Sequence, residues 1–120
     1  MVLAQNYPGG LAGFVKAMNQ KAKALNLNDT YFANPTGLDS DDWGNMLTDY
    51  SYTSALDLAR LAAFALKNET ILSMVSTPFI EVTDIEGKIT HKLYNINELL
   101  GNLAGMKGLK TGWTQEAGEC

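Results

Sequence analysis

The sequence predicts a small α+β fold in which helices pack with a small antiparallel sheet. Two amphipathic helical segments occupy much of the first 70 residues, an alternating pair of strands follows them, and a further strand with a polar centre lies near the end. Helices followed by strands, without regular alternation of the two, are typical of the α+β class. A chain of 120 residues is at most one domain.

The composition indicates a globular protein that does not bind nucleic acid. Apolar residues make up 46% of the sequence and charged residues 18%, proportions that suit a packed core. Nine basic against 13 acidic residues give a net charge of -4, and no run of lysines and arginines would form a phosphate-binding surface. No apolar run approaches the length that spans a membrane.

The two ends of the sequence predict that it is part of something longer. Residues 1–5 lack the basic segment and long apolar stretch of a signal peptide, so we expect any export signal or anchor to lie outside this chain. Cys120 is the single cysteine, which excludes an internal disulfide and a four-cysteine zinc site. A buried structural thiol is favoured over a reactive one, because the adjacent Glu119 disfavours the thiolate.

The first predicted helix begins after the turn residues Pro8, Gly9 and Gly10. Apolar residues then recur at helical spacing for about four turns, with lysines and a glutamine on the other side, which predicts one buried and one solvated face. Asn26 and Asn28 are expected to end the helix, because asparagine tolerates the left-handed conformation found at helix ends. The apolar positions are Leu11, Phe14, Val15, Met18, Ala22 and Leu25.

Irregular segments follow the first helix. Residues 30–33 predict a short extended piece, and residues 34–37 predict a turn, because the residue before proline avoids the helical region and glycine accepts a positive φ. The acidic residues 39–49 match a calcium loop only in part, since Trp43 and Tyr50 stand where such a loop needs oxygen ligands. We therefore expect a solvated loop there and no bound metal.

A second amphipathic helix is predicted over residues 51–68. Thr53 or Ser54 can cap it, and Ser54 with Asp57 has the spacing of a capping box, in which each side chain bonds to the backbone amide of the other residue. A shorter helix is predicted over residues 69–75, after Asn68. The buried stripe of the longer helix is predicted to consist of Leu58, Leu61, Ala62, Ala65 and Leu66.

Alternating apolar and polar residues then predict a β-hairpin. Its strands are expected within residues 79–84 and 89–94, with Gly87 in the turn. His91 lies in the second strand without a visible acid–base partner, so we expect it to face solvent. Residues 95–101 predict a capped helical turn.

A polar trio lies near the end of the chain, between Leu109 and Trp113, in what is predicted to be a buried strand. The ammonium of Lys110 supplies charge, the hydroxyl of Thr111 a directed hydrogen bond, and Gly112 the space for a ligand backbone to lie against the strand. This combination suits an anionic end group. Taken alone, the trio favours a solvated strand end that turns at Gly112, so a binding site needs support from the rest of the sequence.

Several segments match, in order, the pattern of a known family. The first helix carries Phe-Val-x-x-Met-Asn, the loop after it carries Asp-Thr-x-Phe-x-Asn-Pro-x-Gly-Leu, and the polar trio is the Lys-Thr-Gly motif of the β-lactamase and penicillin-binding superfamily. Over nearly all 120 residues the chain resembles the low-molecular-mass penicillin-binding proteins that act as serine-type D-alanyl-D-alanine carboxypeptidases. The matching segments are residues 14–19, 22–27, 29–38, 52–58, 95–101, 108–114 and 116–118.

The resemblance implies a partial β-lactamase/penicillin-binding-protein transpeptidase-like fold. It also implies part of an enzyme that removes the terminal D-alanine from peptidoglycan stem peptides through an acyl-serine intermediate and binds penicillin. The family needs two further motifs, Ser-x-x-Lys with the acylated serine and Ser-x-Asn, and neither occurs in this sequence. We therefore expect residues 1–120 to be an internal fragment of the catalytic domain, without the nucleophile and inactive alone.

Carried over by motif, the resemblance assigns substrate binding to Lys110, Thr111 and Gly112. The first two would hold the terminal carboxylate, and Gly112 would keep the strand open. The backbone amide of Trp113 would be one of two donors to the oxyanion. The implied ligands are a peptidoglycan stem peptide ending in D-Ala-D-Ala and, in the intact enzyme, β-lactams, at an extracytoplasmic, cell-wall location in a bacterium. No metal or cofactor is implied.

Two other classes of function remain open. A non-catalytic module would keep the Lys110 site to bind cell-wall peptide, and upstream coding sequence without Ser-x-x-Lys would identify it. A β-lactamase-like hydrolase would need a deacylating glutamate between the two helices, where residues 39–49 offer only aspartates. An isolated fragment would also leave strand edges and apolar surface uncovered, which predicts self-association.

Overall fold

A computed structural model of the chain describes residues 1–39, 48–114 and 117–119. In this part of the chain helices precede strands, so the predicted α+β class is confirmed. The helices are α1 (Val2–Gln5), α2 (Gly10–Ala24), α3 (Ala55–Ala65) and α4 (Glu69–Val75), and the strands are β1 (Phe79–Thr83), β2 (Thr90–Tyr94), β3 (Trp113–Thr114) and β4 (Gly118–Glu119). No helix in these ranges is long and apolar enough to cross a membrane.

The chain divides into two compact units, Met1–Ala63 and Phe64–Cys120. In the first unit, α2 has nearly the predicted bounds, and Asn26 has the expected left-handed conformation after it, with φ of 56°. A Cβ on Gly13 would overlap the carbonyl oxygen of Pro8, so the chain that leads into α2 packs directly against the helix.

A bridge between Tyr31 and Tyr52 orders the segment before α3. Each of the two residues donates its backbone N–H to the carbonyl of the other, at 2.9 Å, and the rings stack with centroids 5.8 Å apart. The prediction that the second helix extends back to residue 51 is therefore wrong, since Tyr52 is held in extended backbone. The predicted cap at Ser54 is confirmed, because α3 begins at Ala55. The predicted turn after the bridge is confirmed, with the side chain of Asn34 accepting from the backbone N–H of Gly37.

Among the described residues of the first unit, Asp57 on α3 is the buried polar side chain, with 1% of its surface exposed. Half of the predicted capping box forms, because the N–H of Asp57 donates to Ser54 Oγ at 3.2 Å. The other half is wrong, since Asp57 Oδ2 instead accepts from the N–H of Asp29. Leu58 was predicted to be buried but is 47% exposed.

The second unit begins with α4 and the hairpin, both as predicted. The side chain of Asn68 accepts from the N–H of Ile71 at 3.1 Å and caps α4. Strands β1 and β2 pair antiparallel from Phe79 with Tyr94 to Thr83 with Thr90. His91 on β2 is exposed, as expected.

The strand predicted over residues 108–114 is mostly wrong. Only Trp113–Thr114 forms a strand, paired with Gly118–Glu119. A strand needs a neighbour for its backbone hydrogen bonds, and no described residue pairs with residues 108–112. Trp113 is 69% exposed, contrary to the prediction of burial. Cys120 and most of the predicted loop at residues 39–49 lie outside the described residues.

Candidate functional site

The polar trio lines an open groove of about 540 Å³ in the second unit. Two segments distant in sequence form its walls, residues 96–99 on one side and residues 110–113 on the other. We call this cleft the Lys110 groove. The structure thus brings together the predicted residues Lys110, Thr111, Gly112 and Trp113, and it adds a wall to which the sequence analysis assigned no role.

Charge in the groove comes from Lys110 and Glu98, one of each sign. Lys110 is exposed, and none of the ion pairs among the described residues involves it. Its ammonium donates to the backbone carbonyl of Thr111, which leaves two of its three N–H donors for a ligand. Because the lining charges cancel, the position of the ammonium, not a net positive field, would orient an anionic ligand.

The other two members of the trio leave the groove open. Thr111 is half-buried and is a lining residue of the groove whose side chain carries a hydroxyl. A Cβ built on Gly112 would meet no heavy atom within 4 Å, so a side chain there would project into free space and not into the protein. The glycine therefore leaves room beside the cation for another molecule.

Exposed apolar side chains complete the lining of the groove. Ile96 is 74% exposed, Leu99 52% and Trp113 69%. Apolar surface around one cation and one hydroxyl is the usual make-up of a small-molecule site, in which a few polar groups set the orientation. Local periodicity could not link Ile96 and Leu99 to this site, because they precede Lys110 by many residues and carry no ionisable group.

The side chain of Asn95 holds the wall at residues 96–99. Its Nδ2 donates to the carbonyls of Val75 at 3.3 Å and Thr77 at 3.2 Å, while its Oδ1 accepts from the N–H of Asn97 at 3.0 Å. Asn97 repeats the pattern by accepting from the N–H of Leu99 at 3.1 Å. The predicted capped helical turn is confirmed, since the Asn97 side chain caps a turn in which the N–H of Leu100 donates to the carbonyl of Asn97 at 3.0 Å.

Gly108 holds the start of the opposite wall. Its φ is 133°, a conformation that side chains disfavour. A Cβ there would lie 2.9 Å from Val75 Cγ2 and 3.1 Å from the Val75 carbonyl oxygen. The backbone that leads to Lys110 consequently passes directly over Val75.

The chain is similar to known proteins over its whole length. The family model for D-alanyl-D-alanine carboxypeptidase matches residues 1–120. A D-alanyl-D-alanine endopeptidase of Pseudomonas aeruginosa is 37% identical over 98% of this chain and 36% of its own length. The D-alanyl-D-alanine carboxypeptidase DacF of Bacillus subtilis is 37% identical over 100% of this chain and 28% of its own length. The chain thus spans about a third of these relatives.

Solved structures give the same result for the fold. Penicillin-binding protein D2 of Listeria monocytogenes, in an ampicillin-bound form, aligns with a TM-score of 0.77 and 35% identity over 98% of this chain and 44% of that one. A mutant of a Streptomyces DD-transpeptidase aligns with a TM-score of 0.80 and 29% identity over 98% of this chain and 46% of that one. The predicted penicillin-binding-protein-like fold is confirmed.

Proposed function

Because this chain belongs to the D-alanyl-D-alanine carboxypeptidase family, we propose that it is the part of such a serine-type enzyme that binds the substrate's free C-terminal carboxylate. The Lys110 groove is the observation that carries the proposal. It presents an ammonium without an ion-pair partner among the described residues, a neighbouring hydroxyl and an open glycine, all beside apolar surface. Residues 1–120 are then one portion of the catalytic domain.

The groove would act by orienting the terminal D-alanine. The ammonium of Lys110 forms a charge-assisted hydrogen bond with the carboxylate, and such bonds contribute roughly 1.5–3 kcal/mol. The Thr111 hydroxyl gives the carboxylate a second, directed donor. Gly112 allows the peptide backbone to approach. The scissile carbonyl then reaches the backbone N–H of Trp113, one of two oxyanion donors.

The nucleophile of the proposed enzyme lies in sequence other than these 120 residues, since no serine here is followed by lysine three positions later. That serine attacks the carbonyl carbon between the two D-alanines. The C–N bond breaks, the terminal D-alanine leaves with a protonated amine, and water hydrolyses the acyl-serine ester. The 120-residue chain alone would bind carboxylate without cleaving the peptide.

The biological ligand follows from the same proposal. A peptidoglycan stem peptide ending in D-Ala-D-Ala is the substrate, and β-lactams acylate the same serine in the intact enzyme. The two relatives described above come from bacteria, Pseudomonas aeruginosa and Bacillus subtilis. The proposed site of action is therefore extracytoplasmic, at the bacterial cell wall.

The β1–β2 hairpin supports the prediction of self-association for the isolated chain. Ile80 pairs with Leu93 and Val82 with His91, which places three apolar side chains on one face. Ile80 is 48% exposed, Leu93 50% and Val82 38%. We expect copies of the 120-residue chain to associate through such surface, and a dilute, clean monomer in sedimentation would contradict this.

The experiment compares the whole gene product with the 120-residue chain. Each is incubated with an N-acylated peptide ending in D-Ala-D-Ala and, separately, with a fluorescent penicillin. We expect the whole product to release D-alanine and to retain one covalent label, and the 120-residue chain to do neither. A whole product that binds the peptide without label or release would be a binding module. Rapid turnover of the penicillin would indicate the β-lactamase-like alternative.

A further inference from the structure

Both walls of the Lys110 groove are attached to the same residue at the end of α4. The wall at residues 96–99 is attached through Asn95, whose amide donates to the carbonyl of Val75. The segment that leads to the opposite wall is attached through Gly108, which lies against the Val75 side chain too closely to carry a Cβ. Val75, which does not line the groove, therefore contacts both Asn95 and Gly108, the residues that hold its two walls.

The carbonyl groups at this helix end are available to Asn95 for a simple reason. The last carbonyls of a helix lack partners within the helix and need donors from elsewhere. The hydroxyls of Ser76 and Thr77 turn back to the carbonyls of Leu72 and Ser73, at 2.6 and 2.7 Å. The carbonyl of Val75 accepts from Asn95 instead, so a side chain distant in sequence satisfies one of the last carbonyls of this helix.

The chemistry of the Asn95 position requires a carboxamide. Its NH₂ group donates twice, to the carbonyls of Val75 and Thr77, while its oxygen accepts from the N–H of Asn97. A carboxylate of the same size has no N–H donors and would face the two carbonyls with negative charge. An alanine has neither donor nor acceptor. Substitution therefore removes the side-chain bonds between the wall and the end of α4, and leaves the backbone bond from the N–H of Asn95 to the carbonyl of Pro78 at 2.9 Å.

We propose that Asn95 is a positioning residue for carboxylate binding, acting through Val75 to keep the two walls of the Lys110 groove in register. The inference rests on the proposed function, because it concerns the ligand of the same groove. It assigns no contact with substrate to Asn95. A misplacement of about 1 Å in a binding constellation can cost a factor of roughly a hundred, so a loosened wall would weaken the hold on the carboxylate.

The chain contains a matched control in Asn19. Its Nδ2 donates to the carbonyls of Val15 at 3.1 Å and Phe32 at 2.7 Å, and its Oδ1 accepts from the N–H of Phe32 at 2.9 Å. The number and kind of bonds equal those of Asn95, but all of them lie in the first unit. Replacing Asn19 thus reproduces the loss of bonds without touching the groove supports.

The test uses the whole gene product with Asn95→Asp, Asn95→Ala, Asn19→Asp and Asn19→Ala. We expect comparable losses of thermal stability from all four. Only the Asn95 variants should raise KM for a peptide with a free C-terminal carboxylate, by about tenfold. The Asn95 variants should also lose part of the preference for the free carboxylate peptide over its C-terminal amide. A purely structural role of Asn95 would leave this preference unchanged.

Hydrogen exchange gives a second readout that does not depend on activity. We expect the Asn95 variants to increase exchange in residues 96–99 and 108–112 together, and the Asn19 variants to leave both segments as in the wild type. If the wild type is active and Asn95→Asp leaves KM, the carboxylate preference and hydrogen exchange unchanged, the inference about Asn95 is overturned. The proposed function is not affected by that result. A wild type that does not act on the peptide would overturn the proposed function and the role in substrate binding, while the exchange result would still decide whether Asn95 couples the walls.

Discussion

The buried carboxylate of Asp57 accepts a hydrogen bond of 2.8 Å from the backbone N–H of Asp29. The same oxygen accepts from the hydroxyl of Thr30 at 3.0 Å, and the other oxygen lies 3.3 Å from a guanidinium nitrogen of Arg60. Because the carboxylate belongs to α3 and its donors follow α2, the contact ties the loop after one helix to the first turn of the next. Asp57 is thus a structural connection within the first unit.

Replacing Asp57 with alanine should lower the free energy of unfolding by about 3 kcal/mol, because the N–H of Asp29 and the hydroxyl of Thr30 lose a buried, charged acceptor. Asp84 provides the control, since its carboxylate also accepts two bonds, from the N–H groups of Lys88 and Ile89, but in an exposed turn. Asp84→Ala should cost about 1 kcal/mol. Urea titration measures both, and equal losses would contradict a special role for the Asp57 contact.

Lys110→Gln should reduce kcat/KM for a peptide with a free C-terminal carboxylate by roughly 10- to 150-fold, the equivalent of one charge-assisted hydrogen bond. The C-terminal amide of the same peptide should be affected far less. Lys107→Gln removes an equal charge from an exposed position that does not line the groove. Parallel kinetics on the whole gene product check this, and equal effects of the two substitutions would exclude Lys110 as the carboxylate ligand.

Trp113→Ala should raise KM by a few-fold and leave kcat nearly unchanged. The exposed indole lines the groove and offers apolar contact, whereas the proposed oxyanion donor is the backbone N–H, which alanine keeps. Because the side chain is 69% exposed, the fold should tolerate its loss. A fall in kcat of about a hundredfold would instead assign the indole itself a part in the transition state.

Gly108→Ala should impair peptide binding more than Gly105→Ala. Both glycines have positive φ, 133° and 84°, so both substitutions introduce backbone strain. Only at Gly108 would the new Cβ also meet Val75, at 2.9 Å from Cγ2. Comparing KM and melting temperature for the two variants isolates this steric contact, and indistinguishable values would show that Val75 does not support the wall.

Tyr31 should make stability fall at alkaline pH. Its hydroxyl donates to Asp49 at 2.9 Å, and that hydrogen bond, together with the charge of Asp49, raises the pKa of Tyr31 above its ordinary value of 10.0. The folded state therefore keeps the proton longer than the unfolded state does. The resulting stabilisation is complete below the ordinary pKa and is lost as the pH rises through the raised one.

Urea midpoints of wild type and Tyr31→Phe, measured from about pH 8 to pH 11.5, provide the check. At about pH 8 the wild type should be more stable than Tyr31→Phe, and the difference between their urea midpoints should shrink as the pH approaches about 11.5. A difference that stays constant over this interval would mean that the bond between Tyr31 and Asp49 does not form in solution.

Periodicity and turn residues predicted correctly the elements whose hydrogen bonds join residues close together in the sequence. Helix α4, its cap at Asn68 and the β1–β2 hairpin all occur where periodicity and turn residues place them. The predicted helix start at residue 51 was wrong because Tyr52 bonds to Tyr31, a partner that periodicity does not contain. The strand predicted through Lys110 was wrong for the related reason that a strand depends on a neighbour, and alternation of side chains does not supply one.

The sequence by itself determined the positions of α2, α4 and the β1–β2 hairpin, the family, and the trio Lys110, Thr111 and Gly112, because each depends on residues that are close together along the chain. Only the tertiary structure decided that Asp57 is buried as an acceptor for Asp29 and that residues 96–99 face the trio across a groove. These are contacts between segments many residues apart, set by how the elements pack. Hydrogen bonds and steric contact across such separations have no local signature, so they could be read only from the fold.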